Sequence, residues 1–391
     1  MNILFIYSSA IIPENGGVQR VTHDLQQYLA SKGHNVIFLT LFKEKYNAKE
    51  NSIQYFLPIK KLLSKRNIDY YISLVKTEGI DIIINQDGMN PNLTKFCAQI
   101  KRYKEVKIIC VFHNSLLGNI KNFAISHANQ IKSIPIPFLN KIFEWKLIRN
   151  ILTKFYIFKY TPHYQNIIRN YNQIVTLSEA YFEELKAFVP NGNFSKVCSI
   201  PNPCNLKLEN IHFQKVNELI YIGRLNSTQK RVDLLLQIWN LIFKKHPTWK
   251  LSILGDGPER YNLENMSKDL GLKKVHFYGN KNPIEYYKRA KILCMTSAYE
   301  GFPLVLAEAQ TFGTIPIAFN SFASITDIIK DGDNGLLIEP FNISKYASIL
   351  SELMENEEKI YSMSRECQKS ASRFSIEIIG GKWDTLLTQI N

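Results

Sequence analysis

Long apolar runs are missing from this chain of 391 residues. Nothing in it approaches the ~18 uninterrupted apolar residues that a membrane-spanning helix needs. Cysteine is scarce and scattered: Cys97, Cys110, Cys198, Cys204, Cys294 and Cys367 form no CxxC pair and no Cys/His cluster. That excludes a disulfide scaffold and a structural zinc centre, and it predicts reduced, mostly buried thiols. Only 18 Gly and 15 Pro are spread along the chain, which excludes collagen-like and low-complexity readings. The Walker sequence GxxxxGK[ST] is absent as well. The opening run MNILFIY has no Lys or Arg before it, and a polar glycine turn stands where a signal peptide would be cleaved. It reads as a buried first strand, which keeps the protein in the cytoplasm.

Acidic residues are the remaining shortage, and they are short on one side only. Residues 1–200 hold 25 Lys and Arg against 13 Asp and Glu, whereas 201–391 hold 23 against 21. The formal charge of +14 therefore belongs almost wholly to the first half. A basic half beside a nearly neutral one points to an anionic surface met by one half: nucleic acid, acidic lipid or an anionic polymer.

What is present is a globular composition, 45% apolar and 21% charged, with length for two domains. Short Ile/Val-rich runs over residues 3–7, 36–40, 80–84, 106–112 and 173–177 alternate with amphipathic helical stretches. Continuous apolar strands of this kind belong to a parallel sheet covered on both faces. The pattern breaks at Ile200-Pro201-Asn202-Pro203 and then restarts, with strands expected at 218–222, 251–254, 275–278, 292–295, 315–319 and 336–338. Two similar α/β domains follow from this: 1–200, a linker over 201–217, and 218–374. Ligands in such sheets sit at the carboxyl ends of strands, so the loops there carry the chemistry.

Three such loops stand out. In TSAYEGFPLVLAEAQTFGTIP (296–316), a loop exposes Glu300, and Gly301-Phe302-Pro303 starts a helix through Leu304 that carries Glu308 about two turns in. Pro303 suits the first helical turn, and the free amides of that turn suit a phosphate. In YIGRLNSTQKRVDLLL (221–236), Arg224, Lys230 and Arg231 place three cations at a strand end, as a diphosphate requires. Gly16-Gly17, in the first strand–helix turn, lets backbone approach a ligand, although a tight turn explains the pair equally well. His113 follows the strand at 106–112 and is a further candidate. Two other segments read as turns: Asp331-Gly332-Asp333, where no calcium-loop ligands follow, and Gly255-Asp256-Gly257-Pro258.

With these residues in place the chain resembles the GT-B glycosyltransferases of family 4. The segments that carry the resemblance are PENGGVQRV with SKGHNVIFLT, VTLSEA at 175–180, IPNP at 200–203, GRL with a downstream Lys, GDGPER at 255–260, and EGFPLVLAE at 300–308. The last has the family's Glu, seven residues, Glu spacing. One departure touches the cation loop, where Arg224 and Lys230 enclose five residues instead of the usual four. Arg231 could therefore share the role of Lys230.

The resemblance implies two Rossmann-like domains facing a central cleft, with the last helix (375–390) crossing back to the first. It implies a retaining hexosyltransferase that moves a sugar from a nucleotide donor, taken as a UDP-sugar, without a metal or other cofactor. Arg224 and Lys230 would hold the donor diphosphate, and Glu300 would contact the transferred sugar. Glu308 would accept hydrogen bonds from the ribose hydroxyls, and the amides of Phe302 to Leu304 would face sugar and phosphate. Gly17 would approach the phosphates from the other domain, and His113 would lie beside the sugar. The implied acceptor is a growing glycan or a lipid-linked one, as in capsule or lipopolysaccharide synthesis. Alternatives are an epimerase or hydrolase of the same fold and, from another class, a nucleic-acid-binding protein. No nucleic-acid-binding module is recognisable, so nucleic acid is not the expected partner.

Residues 132–171 hold seven basic side chains against one acid, Glu144, interleaved with Phe138, Phe143, Trp145, Phe155, Tyr156, Phe158 and Tyr160. Ile142, Trp145 and Ile148 beside Lys141 and Lys146 suggest a helix that lies on an anionic membrane surface. The competing reading makes these rings ordinary core.

Overall fold

A computed structural model describes residues 1–41, 54–122, 146–206 and 214–390. The backbone divides into two compact units. The first comprises Met1–Leu116, Phe155–Asn205 and Phe374–Asn391; the second comprises Leu117–Lys154 and Leu206–Arg373.

Each unit is a parallel sheet built from the apolar runs. In the first unit the strands are β1 (Asn2–Tyr7), β2 (Asn35–Thr40), β3 (Gln54–Phe56), β4 (Ile82–Asn85), β5 (Lys107–Phe112), β6 (Gln173–Thr176) and β7 (Val197–Ser199). They lie in the order β3-β2-β1-β4-β5-β6-β7, with Ile3 opposite both Val36 and Ile82. Ile82, Ile83 and Ile84 are all fully buried, as strands covered on both faces require. The helix Gly17–Ser31 turns Val21, Leu25 and Leu29 onto this sheet. The final helix, Ile376–Ile390, packs against it and adds Trp383 and Leu387 to the same core. A Cβ at Gly380 would stand 2.5 Å from the Tyr28 ring, so only glycine permits this helix–helix approach. His34 Nε2 meets Asp384 Oδ1 at 2.9 Å across the same junction.

In the second unit β8 (Val216–Ile222), β9 (Lys250–Leu254), β10 (Val275–Gly279), β11 (Ala290–Met295), β12 (Ile315–Phe319) and β13 (Leu336–Ile338) lie in the order β10-β9-β8-β11-β12-β13. The helix Val232–Ile242 fills its core with Leu235, Ile238 and Trp239. Glu218 of β8 is fully buried, its carboxylate held by Arg289 (2.7 and 3.0 Å) and Ser252 (2.5 Å). Burial alone would raise its pKa, but Arg289, Ser252 and Lys250 outweigh that, and the net shift is downward.

Two differences from the sequence reading have physical causes. The edge strands β3 and β7 span three residues each and are only half-buried, too short and mixed for an apolar run to mark them. Residues 117–154, expected in the first domain, group with the second unit. There Asn122 Nδ2 donates to the carbonyls of Ala298 (2.6 Å) and Ser321 (3.0 Å).

In both sheets strand order reverses direction once, between β1 and β4 and between β8 and β11. Crevices outside the carboxyl ends of strands at such points are where doubly wound sheets bind ligands.

Candidate functional site

The loops after β8 and β11 meet at the switch point of the second sheet. The first begins at Gly223, whose amide donates to Leu254 O at 3.0 Å, and continues with Leu225 N donating to Asp256 O at 2.9 Å. Glycine is obligatory behind it. A Cβ on Gly255 would lie 1.9 Å from Gly223 O, and one on Gly257 would lie 2.3 Å from Leu225 O. The Gly255-Asp256-Gly257 segment is thus a strand-to-helix turn that also braces the cation loop.

Directly after Gly223, Arg224 is exposed, and among the described residues no carboxylate is paired with it. Asn226 Oδ1 accepts from the amides of Gln229 (3.1 Å) and Lys230 (3.0 Å), closing the loop on itself. Lys230 Nζ lies 2.5 Å from Glu300 Oε1, with both side chains largely buried. Gln229 Nε2 donates to Glu300 Oε2 and to Tyr299 O, each at 3.1 Å. Arg231 faces elsewhere. It adopts a left-handed conformation (φ 50°, ψ 47°), and its guanidinium is buried against Asp233 at 2.9 and 2.7 Å. Lys230 thus joins Glu300, whereas the Arg231 guanidinium pairs with Asp233 at the start of the following helix.

The second loop leaves β11 at Met295 and presents Glu300, which is 6% exposed. Ser324 Oγ donates to Gly301 O at 2.5 Å, and Phe302 is buried. The helix is Leu304–Thr311, so Pro303 is its N-cap and not a first-turn residue. Glu308 is the fifth residue of that helix, one turn in instead of two, and is 4% exposed. Its Oε2 accepts from Tyr287 Oη at 2.7 Å. A solvated helix glutamate is excluded by that burial. The structure thus pairs Lys230 with Glu300 and sets Arg224, the Gly301–Leu304 turn and Glu308 on the loops and helix that follow β8 and β11.

Gly16, Gly17 and His113 belong to the first unit, at the carboxyl ends of its own strands. After β1 a short turn (Pro13–Asn15) leads through an extended Gly16 to Gly17, the first residue of its helix. His113 follows β5, and its Nε2 meets Gln86 Oε1 at 2.5 Å. Gln86, 2% exposed, directly follows β4. Burial pushes the His113 pKa down to about 4, so the imidazole is neutral at physiological pH. The loop that carries it is pinned by Glu184, which accepts from Ser115 Oγ (2.9 Å) and Leu116 N (2.8 Å).

The remaining segments sort as follows. Asp331 Oδ1 accepts from Leu337 N at 2.9 Å and Asp333 pairs with Lys330 at 3.1 Å, the bonding of a turn. Five of the six cysteines are buried thiols. In the basic–aromatic window, residues 132–145 lie outside the described residues, including Lys141, Ile142 and Trp145. The rest forms the helix Lys146–Asn170, along which Leu147, Ile151, Phe155 and Phe158 are exposed. No described helix is long and apolar enough to cross a membrane. Sequence reasoning missed Gln229, Gln86 and Tyr287. The first two adjoin strand-end residues and could have been found by that position; Tyr287 carried no signal.

A family model described as Glycosyltransferase Family 4 matches residues 15–208, and one described as Glycosyl transferases group 1 matches residues 206–372. An uncharacterized glycosyltransferase of Haemophilus influenzae is 32% identical over 252 residues, covering 61% of this chain and 70% of the relative. The amylovoran biosynthesis glycosyltransferase AmsD of Erwinia amylovora is 24% identical over 379 residues, 96% of this chain and 97% of AmsD. Among solved structures, Anabaena HepE in complex with UDP and glucose superposes with a TM-score of 0.75 at 16% identity, covering all of both chains. Taken with the paired parallel sheets and the Glu300–Glu308 helix, these matches establish that the chain belongs to the GT-B glycosyltransferases of the family 4 type.

Proposed function

We propose that this glycosyltransferase transfers a hexose from a UDP-sugar, with retention at the anomeric carbon, to a growing glycan or lipid-linked acceptor of a bacterial surface polysaccharide. The observation that carries the proposal is the ionic cluster at the β8/β11 switch point. There an exposed Arg224 and the Lys230–Glu300 pair adjoin a helix start and the buried Glu308. Cleaving the anomeric C–O bond leaves negative charge on the diphosphate, and fixed cations with a helix N-terminus stabilise that departing group. The acceptor oxygen bonds to the anomeric carbon on the face the diphosphate leaves, and its proton passes to the departing phosphate oxygen. Glu300 faces the sugar, and its pairing with Lys230 holds both side chains in place before donor arrives. Glu308 accepts from the donor ribose. In the first unit the strand-end candidates are the Gly17 backbone and the neutral His113.

The same cations supply the charge that a metal would otherwise bring, so turnover is metal-independent in this reading. The UDP and polysaccharide assignments draw support from HepE, which holds UDP and glucose, and from AmsD, which serves amylovoran synthesis. We also place the enzyme at the inner face of the cell membrane. Support comes from the basic first half and from the exposed Phe155 and Phe158 beside Lys159, the composition of an interfacial helix.

A panel of nucleotide sugars, followed for nucleotide release with and without a chelator, tests the reaction. Release from a UDP-sugar that persists in chelator supports the proposal; loss restored by magnesium or manganese overturns its metal-independence. Hydrolysis or epimerisation without an acceptor requirement would favour the same-fold alternative. Sedimentation with vesicles tests the location: binding should need anionic lipid and fade in high salt.

A further inference from the structure

Behind Glu308 lies a buried arrangement that no segment of the sequence announces. Tyr287, on the helix Ile284–Arg289, is fully buried and donates its hydroxyl to Glu308 Oε2 at 2.7 Å. Its ring lies nearly parallel to that of Phe312, 7° off plane with centroids 6.1 Å apart. Phe312 is four residues after Glu308, at the end of the same helix, so both project from one face. One tyrosine therefore holds the glutamate helix at two points a turn apart.

Tyr287 is itself held from behind. Its carbonyl accepts from Thr314 Oγ1 at 2.6 Å and from Lys215 Nζ at 2.8 Å. Lys215 Nζ also donates to Ala290 O (2.9 Å) and Thr314 Oγ1 (2.8 Å). Lys215 immediately precedes β8, Ala290 opens β11 and Thr314 immediately precedes β12. A single lysine side chain thus ties three strand beginnings to the end of the tyrosine's helix.

A buried carboxylate without a donor is costly; it turns away or takes up a proton, and either change spoils it as an acceptor. The Tyr287 hydroxyl, donating to Oε2, fixes where the Glu308 carboxylate points. We propose that Tyr287 is the positioning residue that presents Glu308 to the ribose of the nucleotide donor, with Lys215 positioning Tyr287 in turn. This rests on the reading of Glu308 as the ribose-binding carboxylate. Its consequence is selectivity: the arrangement makes the second unit a reader of ribonucleotides over their deoxyribose counterparts.

The test is titration calorimetry of the full chain with UDP, GDP and ADP, and with the 2′,3′-dideoxyribose form of whichever binds tightest. Wild type should prefer the ribose form. Tyr287→Phe, which keeps the ring on Phe312, should weaken the ribose ligand about tenfold, as loss of a hydrogen bond to a charged group does. It should leave the dideoxy ligand unchanged and should raise donor KM with kcat nearly constant. Lys215→Met should show the same selective loss at a smaller size. Equal weakening of both ligands, or none, by Tyr287→Phe would overturn the positioning role while Glu308→Gln still lowers ribose affinity. Absence of any ribose preference in wild type, with Glu308→Gln silent, would instead overturn the reading of Glu308 beneath it.

Discussion

The two units share an architecture and differ in what they place at its functional edge. Both are parallel sheets with one reversal of strand order, and both put glycine-containing loops at the carboxyl ends. The second unit lines that edge with ions: Arg224, Lys230, Glu300 and Glu308. The first unit's candidates there are uncharged, namely the Gly17 backbone, the Gln86 amide and an imidazole that burial keeps neutral, with Asp87 next to them in the chain. Net charge does not follow this contrast: residues 1–200 hold nearly all of the +14, but 117–154, with six Lys and Arg against one Glu, belong to the second unit, so both units are basic. Charge excess and charge at the site are therefore separate properties. The excess lies partly at the opposite end of the first sheet, where Lys101, Lys104 and Lys107 gather near the start of β5. A basic composition describes what a surface attracts at long range, whereas a switch point with opposed, buried charges describes what a site can bind.

Breaking the ionic edge should have the largest effect. Arg224→Ala removes a cation facing charge that develops as the bond breaks, so turnover should fall about 10²–10³-fold, as for a lost oxyanion-stabilising group. Steady-state kinetics with saturating donor check this; an unchanged kcat would leave Arg224 a surface residue.

The next test asks whether the second unit depends on buried ions for stability as well. Glu218→Ala leaves Arg289 without its partner and should cost about 2–4 kcal/mol, discounted because Arg289 is partly exposed. Denaturant titration measures it. The folded carboxyl titrates below its usual range, so its contribution is present above about pH 4.5 and lost as pH falls below that value.

Within the ionic edge, Glu308→Ala should separate binding from chemistry. It holds ribose in ground and transition states alike, so donor KM should rise about 10–100-fold with a smaller change in kcat. Equal losses of kcat from Arg224→Ala and Glu308→Ala would erase the distinction between them.

The smallest effect belongs to the neutral edge. His113 has its pKa lowered from 6.5 to about 4 in the fold, so the unfolded chain binds more protons between those values. Stability should rise with pH across that window and be flat with respect to this group above it. His113→Phe should remove the slope, read as melting temperature against pH, and kcat/KM should show no His113 inflection between about pH 6 and 8.

Much of this contrast was legible in the sequence, for identifiable reasons. The long strands declared themselves because both faces are buried, so Ile82–Ile84 and Ile315–Phe319 read as unbroken apolar runs. Glu300 and Glu308 were visible because strand, loop and helix follow in one continuous segment. Arg231 could not be told from Arg224 and Lys230, because three cations in eight residues look alike in a sequence. A left-handed backbone and Asp233, two residues on, decide which of them turns inward. Tyr287 was invisible for the opposite reason: its partner lies 21 residues away, and only the packing of two helices brings them together. The short edge strands β3 and β7 lack the length for any period to register.

Nucleotide release from a panel of nucleotide sugars, compared between wild type and Arg224→Ala, tests the central claim that the ionic edge of the second unit binds and activates a nucleotide-sugar diphosphate. Rapid release by wild type from a UDP-sugar with an acceptor present, reduced at least a hundredfold in Arg224→Ala, is the predicted result. No release from any donor, together with tight, salt-sensitive binding of DNA or RNA by the basic half, would contradict it.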